Sequence, residues 1–296
     1  MATTADPTLI QGPFPGGAGA GSRISSRVRA LRPAVILAAL YLIVIAIAAI
    51  APSLLTSRDP LEVNLGASLQ SPSIEFPFGT DQSGRSVYTR VVYGARESVL
   101  IGLGATAVGL LIATALGVAA ALGGKVVDGG INRLLEVLFS FPGLLLALLL
   151  VAVFGSGAST QILAVGIASA PGYARMIRGQ VLQVKNADYV IASRALGHPP
   201  GRTLFRTILP NAFRPLVVLA TLGVGQAIVW ASALSFLGLG VAPPAPEWGA
   251  MLDAGRDYIQ TAWWLDFFPG AAIVAFTLAA TCLGRYFQRR IEGETD

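Results

Sequence analysis

The sequence predicts an all-α polytopic membrane protein with six membrane-crossing helices, and three observations carry that expectation. Hydrophobic residues make up 54% of the chain and charged residues 12%, with a mean hydropathy of +0.66, a balance foreign to a soluble protein of 296 residues. Several apolar runs approach the roughly 20 residues that a helix needs to cross a hydrocarbon core of about 30 Å. Basic residues gather in alternate loops, as they do when a chain is oriented by retaining lysine and arginine on the cytoplasmic side.

Residues 1–33 are rich in Gly, Pro and Ser, carry Arg23, Arg27, Arg29 and Arg32 near their end, and read as a loosely ordered cytoplasmic tail. The first span, Ala34–Leu55 (34–55), has no charged residue. A secretory leader has an apolar stretch of only about 7–15 residues, so this run reads as a retained helix. Residues 56–97 form an extracytoplasmic segment, and 98–287 hold the remaining five spans. These are Ser98–Leu122, Leu134–Val153, Gln161–Ile177 (interrupted at Pro171), Leu216–Leu237 and Trp264–Leu283. A short cytoplasmic tail, 288–296, closes the chain.

Loop charge sets the orientation. The N-terminal tail has four arginines against Asp6, and the loop 178–215 has Arg178, Lys185, Arg194, Arg202, Arg206 and Arg214 against Asp188. Segment 56–97 instead balances four arginines with five acids, and the loop 238–262 sets Glu247, Asp253 and Asp257 against Arg256. The expected topology is N-in and C-in. The net charge of +5 is read as this orientation signal, with no nucleic-acid partner. Single Cys282 and single His198 exclude a disulfide framework and a Cys/His metal site within one chain.

The loop 178–215 is far longer than the roughly 2–8 residues that join neighbouring helices. Asp188 complements the start of a helix through Leu196, and Gly197 suits a left-handed C-terminal cap. Pro199 and Pro200 preset the first turn of a second helix whose Leu204, Phe205, Ile208 and Leu209 recur at helical spacing before Pro210 stops it. The expected product is a rigid elbow with one apolar face.

YVIASRALGHPPGRTLFRTILPN, from Tyr189 to Asn211, resembles the EAA signature of ABC importer permeases. Aligned on Gly197, the residues Ala192, Gly197, Leu209 and Pro210 match. The glutamate, second alanine and isoleucine of the pattern are replaced by Ile191, Ser193 and Thr207. Three further blocks are similar to the dipeptide, oligopeptide and nickel permeases: the runs starting at Phe76, Pro171 and Ser235. Ser86 stands where the first block commonly has aspartate. The long outer segment after the first span resembles the C-type permease of the pair.

The resemblance implies a type I ABC importer permease fold in the cell membrane, with cytoplasmic coupling helices that dock an ATPase. It assigns the coupling role to Asp188, Ala192, Ser193, Arg194, Gly197, His198, Arg202, Leu204, Phe205, Leu209 and Pro210. It also implies a second, B-type permease, two ABC ATPases that bind ATP and magnesium, and an extracytoplasmic substrate-binding protein. This chain would hold no cofactor and have no enzyme activity of its own. The cargo it points to is short peptides, with nickel as the alternative. A stand-alone ion-coupled carrier is opposed by the scarcity of ionisable residues within the spans, where Glu136, Arg175 and Asp266 each lie near an end.

GTDQSGRS, residues 79–86, imitates the phosphate loop G-x-x-x-x-G-K-[ST] with Arg85 in the lysine position. It follows no buried strand and holds Asp81 where phosphate would approach, so it reads as a turn in which Asp81 and Arg85 pair. His198 reads as a contact residue, Cys282 as a small apolar residue, and Trp263 and Trp264 as interfacial anchors. Gly102, Gly104, Gly109 and Gly117 read as close-packing positions.

Overall fold

Glycine decides how the bundle packs. In the computed structural model, which describes residues 20–291, helices α2 (Val87–Leu122) and α5 (Ala158–Lys185) run in the same direction with their backbones pressed together. A Cβ on Gly109 would stand 2.6 Å from Ser169 Oγ, one on Gly166 2.8 Å from Val108, and one on Gly117 2.8 Å from the Ala174 carbonyl. Where lipid offers no hydrophobic drive between helices, close contact of this kind holds them. The glycines of the second span are therefore packing positions, as expected.

Around this pair stand α1 (Ala20–Ile50), the bent pair α3 (Gly124–Phe139) and α4 (Gly143–Phe154), α9 (Leu216–Leu234) and α11 (Trp264–Ile291). Between α5 and α9 lie three short helices, α6 (Asp188–Ala195), α7 (Pro200–Thr203) and α8 (Leu209–Phe213). Helix α10 (Trp248–Gly255) precedes α11. Among the described residues the only β-type pairing is a single bridge between Thr80 and Ser86. Among the described residues four helices are long and apolar enough to cross a membrane, namely α1 from Pro33, α2, α9 with its extension to Leu239, and α11; the bent α3–α4 pair makes a fifth if it counts as one span.

Several expected boundaries move. The first helix begins at Ala20 and passes through Pro33, so part of the expected tail is helical. Residues 1–19 and 292–296, with Asp6, lie outside the described residues, as do the side chains of Arg23, Arg27, Arg29 and Arg32. Helix α2 starts at Val87 rather than Ser98 because Ser86 caps it, accepting a bond from the Thr89 amide. Its 36 residues span about 54 Å, well beyond the hydrocarbon thickness.

The expected third span, Leu134–Val153, is not one rod. It turns by 86° at Ser140–Pro142, because proline lacks an amide donor and pushes Phe141 out of the helical region. The expected interruption at Pro171 is absent: α5 runs unbroken, with Pro171 buried among its neighbours. Trp264 is not an exposed anchor. It is 5% exposed and donates from Nε1 to the Thr80 carbonyl, while Trp263 is exposed as expected.

At the end of the bundle where α2 begins, the two connecting segments form one knot. Arg90 is buried and donates to the carbonyls of Pro60 and Pro244, one from each segment. Glu247, 1% exposed, caps α10 through the Gly249 and Ala250 amides and accepts from Ser98 of α2. The elbow of α6–α8 lies at the opposite end, where α2 finishes.

Candidate functional site

The elbow is built by backbone bonds before any side chain is considered. Helix α6 starts with Asp188 in its first turn and has Arg194 in its last, both complementing the helix dipole. It ends on Gly197 with φ 78°, where the Gly197 amide bonds the Arg194 carbonyl (2.9 Å) and the His198 amide bonds Ser193 (3.3 Å). This pair of bonds is the Schellman closure, and it needs a residue that tolerates the left-handed region.

Side chains then lock the corner. Ser193 Oγ lies 3.0 Å from His198 Nδ1 and 3.4 Å from Thr203 Oγ1, tying α6 to the turn and to α7. Thr203 is 2% exposed. Pro199 and Pro200 occupy the cap and first position of α7, as their fixed φ favours.

Pro210 does not stop the second helix. A π turn over Leu204–Ile208 leads directly into α8, with the Leu209 amide bonding the Leu204 carbonyl. The wider turn relieves the clash that the Pro210 ring would otherwise make with the carbonyl four residues earlier. Asn211 covers the Thr207 carbonyl at 2.7 Å.

The inserted residue also splits the expected apolar face. Ile208 turns inward with Val190 and Ala212 and packs against α2 and α5, while Leu204 and Leu209 are half-buried. Phe205 points outward, 69% exposed. Leu196 (77%), Ile191 (54%) and Tyr189 (49%) are exposed on the same elbow, three apolar residues that periodicity alone does not pick out as contacts. Their signal was their presence in an otherwise polar loop. Of the other expected residues, Asp188, Ala192, Arg194, Gly197, Arg202 and Pro210 are exposed, and Ser193 and His198 are half-buried.

The phosphate-loop imitation at the far end cannot cradle phosphate. The amides of Ser83 and Arg85, which would have to converge on an anion, bond Asp81 Oδ1 at 2.9 and 3.0 Å. Arg85 Nε meets Asp81 Oδ2 at 2.7 Å, and Arg90 lies 3.6 Å from the same oxygen. The expected Asp81–Arg85 pair is present, and the loop's anion site is filled by its own carboxylate.

Residues 113–293, which include the whole elbow, match the family described as binding-protein-dependent transport system inner membrane component. The chain belongs to this family. It is a multi-pass inner-membrane protein of such a system. A dipeptide transport system permease of Alkalihalophilus pseudofirmus is 42% identical over 81% of this chain and 79% of its own length. A di/tripeptide permease of Pseudomonas aeruginosa is 39% identical over 83% of each chain. A glutathione permease of Pectobacterium atrosepticum is 40% identical over 73% of this chain and 71% of its own. A solved chain of a methionine ABC transporter in inward-facing conformations superposes with a TM-score of 0.55 at 18% identity, over 70% of this chain and 97% of that one. That similarity establishes a shared fold.

Proposed function

We propose that this chain is a permease subunit of an ABC importer for short peptides, and that the elbow of α6–α8 is the docking point for an ATPase. The observation that carries the docking is the group of exposed apolar side chains on a corner locked by backbone bonds, Leu196 and Phe205 foremost. A solvated loop has no use for them, and a surface that receives a protein partner does. The peptide cargo rests on the relatives named for dipeptide, di/tripeptide and glutathione transport.

In this reading α5 is the sixth span, both termini are cytoplasmic, and a second homologous permease completes the pathway. Two ATPases close on ATP and magnesium and draw the elbows together, turning the cavity from inward-facing to outward-facing. An external binding protein delivers the peptide. Moving such an equilibrium from about 1:99 to 99:1 requires about 5.5 kcal/mol, which a rigid corner can carry. Catalysis lies in the partners, and this chain converts their closure into movement.

Co-expression with a second peptide permease and the ATPases of the same transport system, followed by reconstitution, tests the proposal. The expected result is a stoichiometric complex that imports a labelled dipeptide at the expense of ATP. Failure of the ATPase to bind, or import of labelled nickel but of no peptide, would refute it.

A further inference from the structure

The cytoplasmic third of α5 grips two other helices through residues that the elbow itself does not contain. Arg178 makes a two-pronged ion pair with Asp128 of α3, Nε to Oδ1 and the second terminal nitrogen to Oδ2, both at 2.6 Å. Asn132 steadies the same carboxylate from one turn further along α3, at 2.7 Å. One turn before Arg178 on α5, the Arg175 guanidinium lies 4.4 Å from the centre of the Phe139 ring, and Phe139 is the last residue of α3. Two arginines three positions apart on one helix thus hold α3 near its beginning and at its end. Lys185, in the last turn of α5, donates to the Ala121 carbonyl at 3.1 Å. That carbonyl is among the last of α2, which the helix leaves without partners of its own.

Beyond these contacts, α3 is held by Leu135 and Ile131, which pack into one cluster with α2 and α5. Leu135 is its only buried residue, and its other face is open. Yet α3 leads through the 86° corner at Ser140–Pro142 into the apolar helix α4. On the other side, α5 joins α6 by only Asn186 and Ala187, whose amides bond Leu182 and Val184 at 3.3 and 3.1 Å. The connection from elbow to α5 is therefore a hydrogen-bonded turn and not a hinge.

We propose that Asp128 and Arg178 are positioning residues of the transport cycle: their ion pair makes α3, and with it the α3–α4 corner, move with the elbow. The Arg175–Phe139 stack fixes the far end of the same helix, and Lys185 passes the motion to α2. A bidentate guanidinium–carboxylate pair suits this task because it fixes orientation as well as distance. The proposal rests on the reading of the elbow as an ATPase dock.

The test is made on the full reconstituted complex, measuring ATP hydrolysis and labelled-dipeptide import on the same preparation. Asp128→Asn and Arg178→Gln should leave the ATPase bound and hydrolysing, while import per ATP falls by about 2- to 30-fold. The exchange Asp128→Arg with Arg178→Asp should recover part of the loss. Unchanged import per ATP in Asp128→Asn overturns the proposal. So does a parallel fall in hydrolysis and import, or a variant that no longer assembles, because either outcome makes the pair a prop for the fold. Failure of the ATPase to bind the wild-type chain overturns the docking reading as well, which separates the two.

Discussion

Substitution of Gly197 isolates the backbone's contribution to the elbow, because the space around it is empty. A Cβ built there meets nothing within 4 Å, while φ is 78°. Any penalty is therefore conformational and not steric crowding. Holding an ordinary residue in the left-handed region costs about 1–2 kcal/mol, a β-branched one lies at the upper end, and asparagine is tolerated. If the corner instead relaxes, the bonds from Gly197 to Arg194 and from His198 to Ser193 are lost, at about 1 kcal/mol each. Both routes converge on about 2 kcal/mol for Gly197→Val, which is about a 30-fold loss of affinity if the ATPase binds only the closed corner. Gly197→Ala should lose about fivefold, and Gly197→Asn should stay near wild type. Titrating the ATPase against permease complexes in nanodiscs reads this series directly. If Asn were as damaging as Val, side-chain volume would be the cause and the reasoning from φ would be wrong.

Phe205→Asp and Leu196→Asp should each weaken ATPase binding by more than about 30-fold, since central apolar anchors are worth about 2 kcal/mol or more, whereas Phe205→Leu should lose much less; equal effects of the two Phe205 changes in the same titration would count against an apolar contact. In a Cys282→Ser background, a membrane-impermeant thiol reagent applied to intact cells should label cysteines at Ser73 and Ala242, both exposed, and miss one at the exposed Arg202. Labelling of that last position from outside would reverse the topology. The isolated chain should show no saturable ATP binding in equilibrium dialysis, and Arg85→Ala should leave the assembled complex's nucleotide affinity unchanged. A drop on that substitution would return GTDQSGRS to the list of nucleotide sites.

The parts of the fold legible in the sequence were those governed by local chemistry. A run without charge must be buried or in lipid, Gly197 before two prolines must turn a corner, and Asp81 four residues before Arg85 must meet it. The misread elements depended on distant partners. The charges of Arg90 and Glu97 hid the true start of α2, because nothing nearby announced that the carbonyls of Pro60 and Pro244 would receive Arg90. Pro171 and Pro210 both look like breaks in the sequence. One is absorbed by tertiary packing and the other by a widened turn, and neither remedy leaves a mark in composition. Arg178 looks like a loop charge in the sequence because its carboxylate, Asp128, lies 50 positions away. The outward Phe205 follows from the π turn, which shifts the helical register that periodicity assumes.

The length of α2 makes it an unequal seesaw. Its tightest contact with α5 is at Gly109, from which about 18 Å of helix reaches Ala121, where Lys185 attaches, and about 28 Å reaches Arg90. Turned as a stiff bar about that fulcrum, α2 multiplies travel: a nudge of about 1 Å at the elbow end becomes about 1.6 Å at the other. Arg90 is fastened to both connecting segments there, so Pro60 and Pro244 would swing together with the tip of the bar.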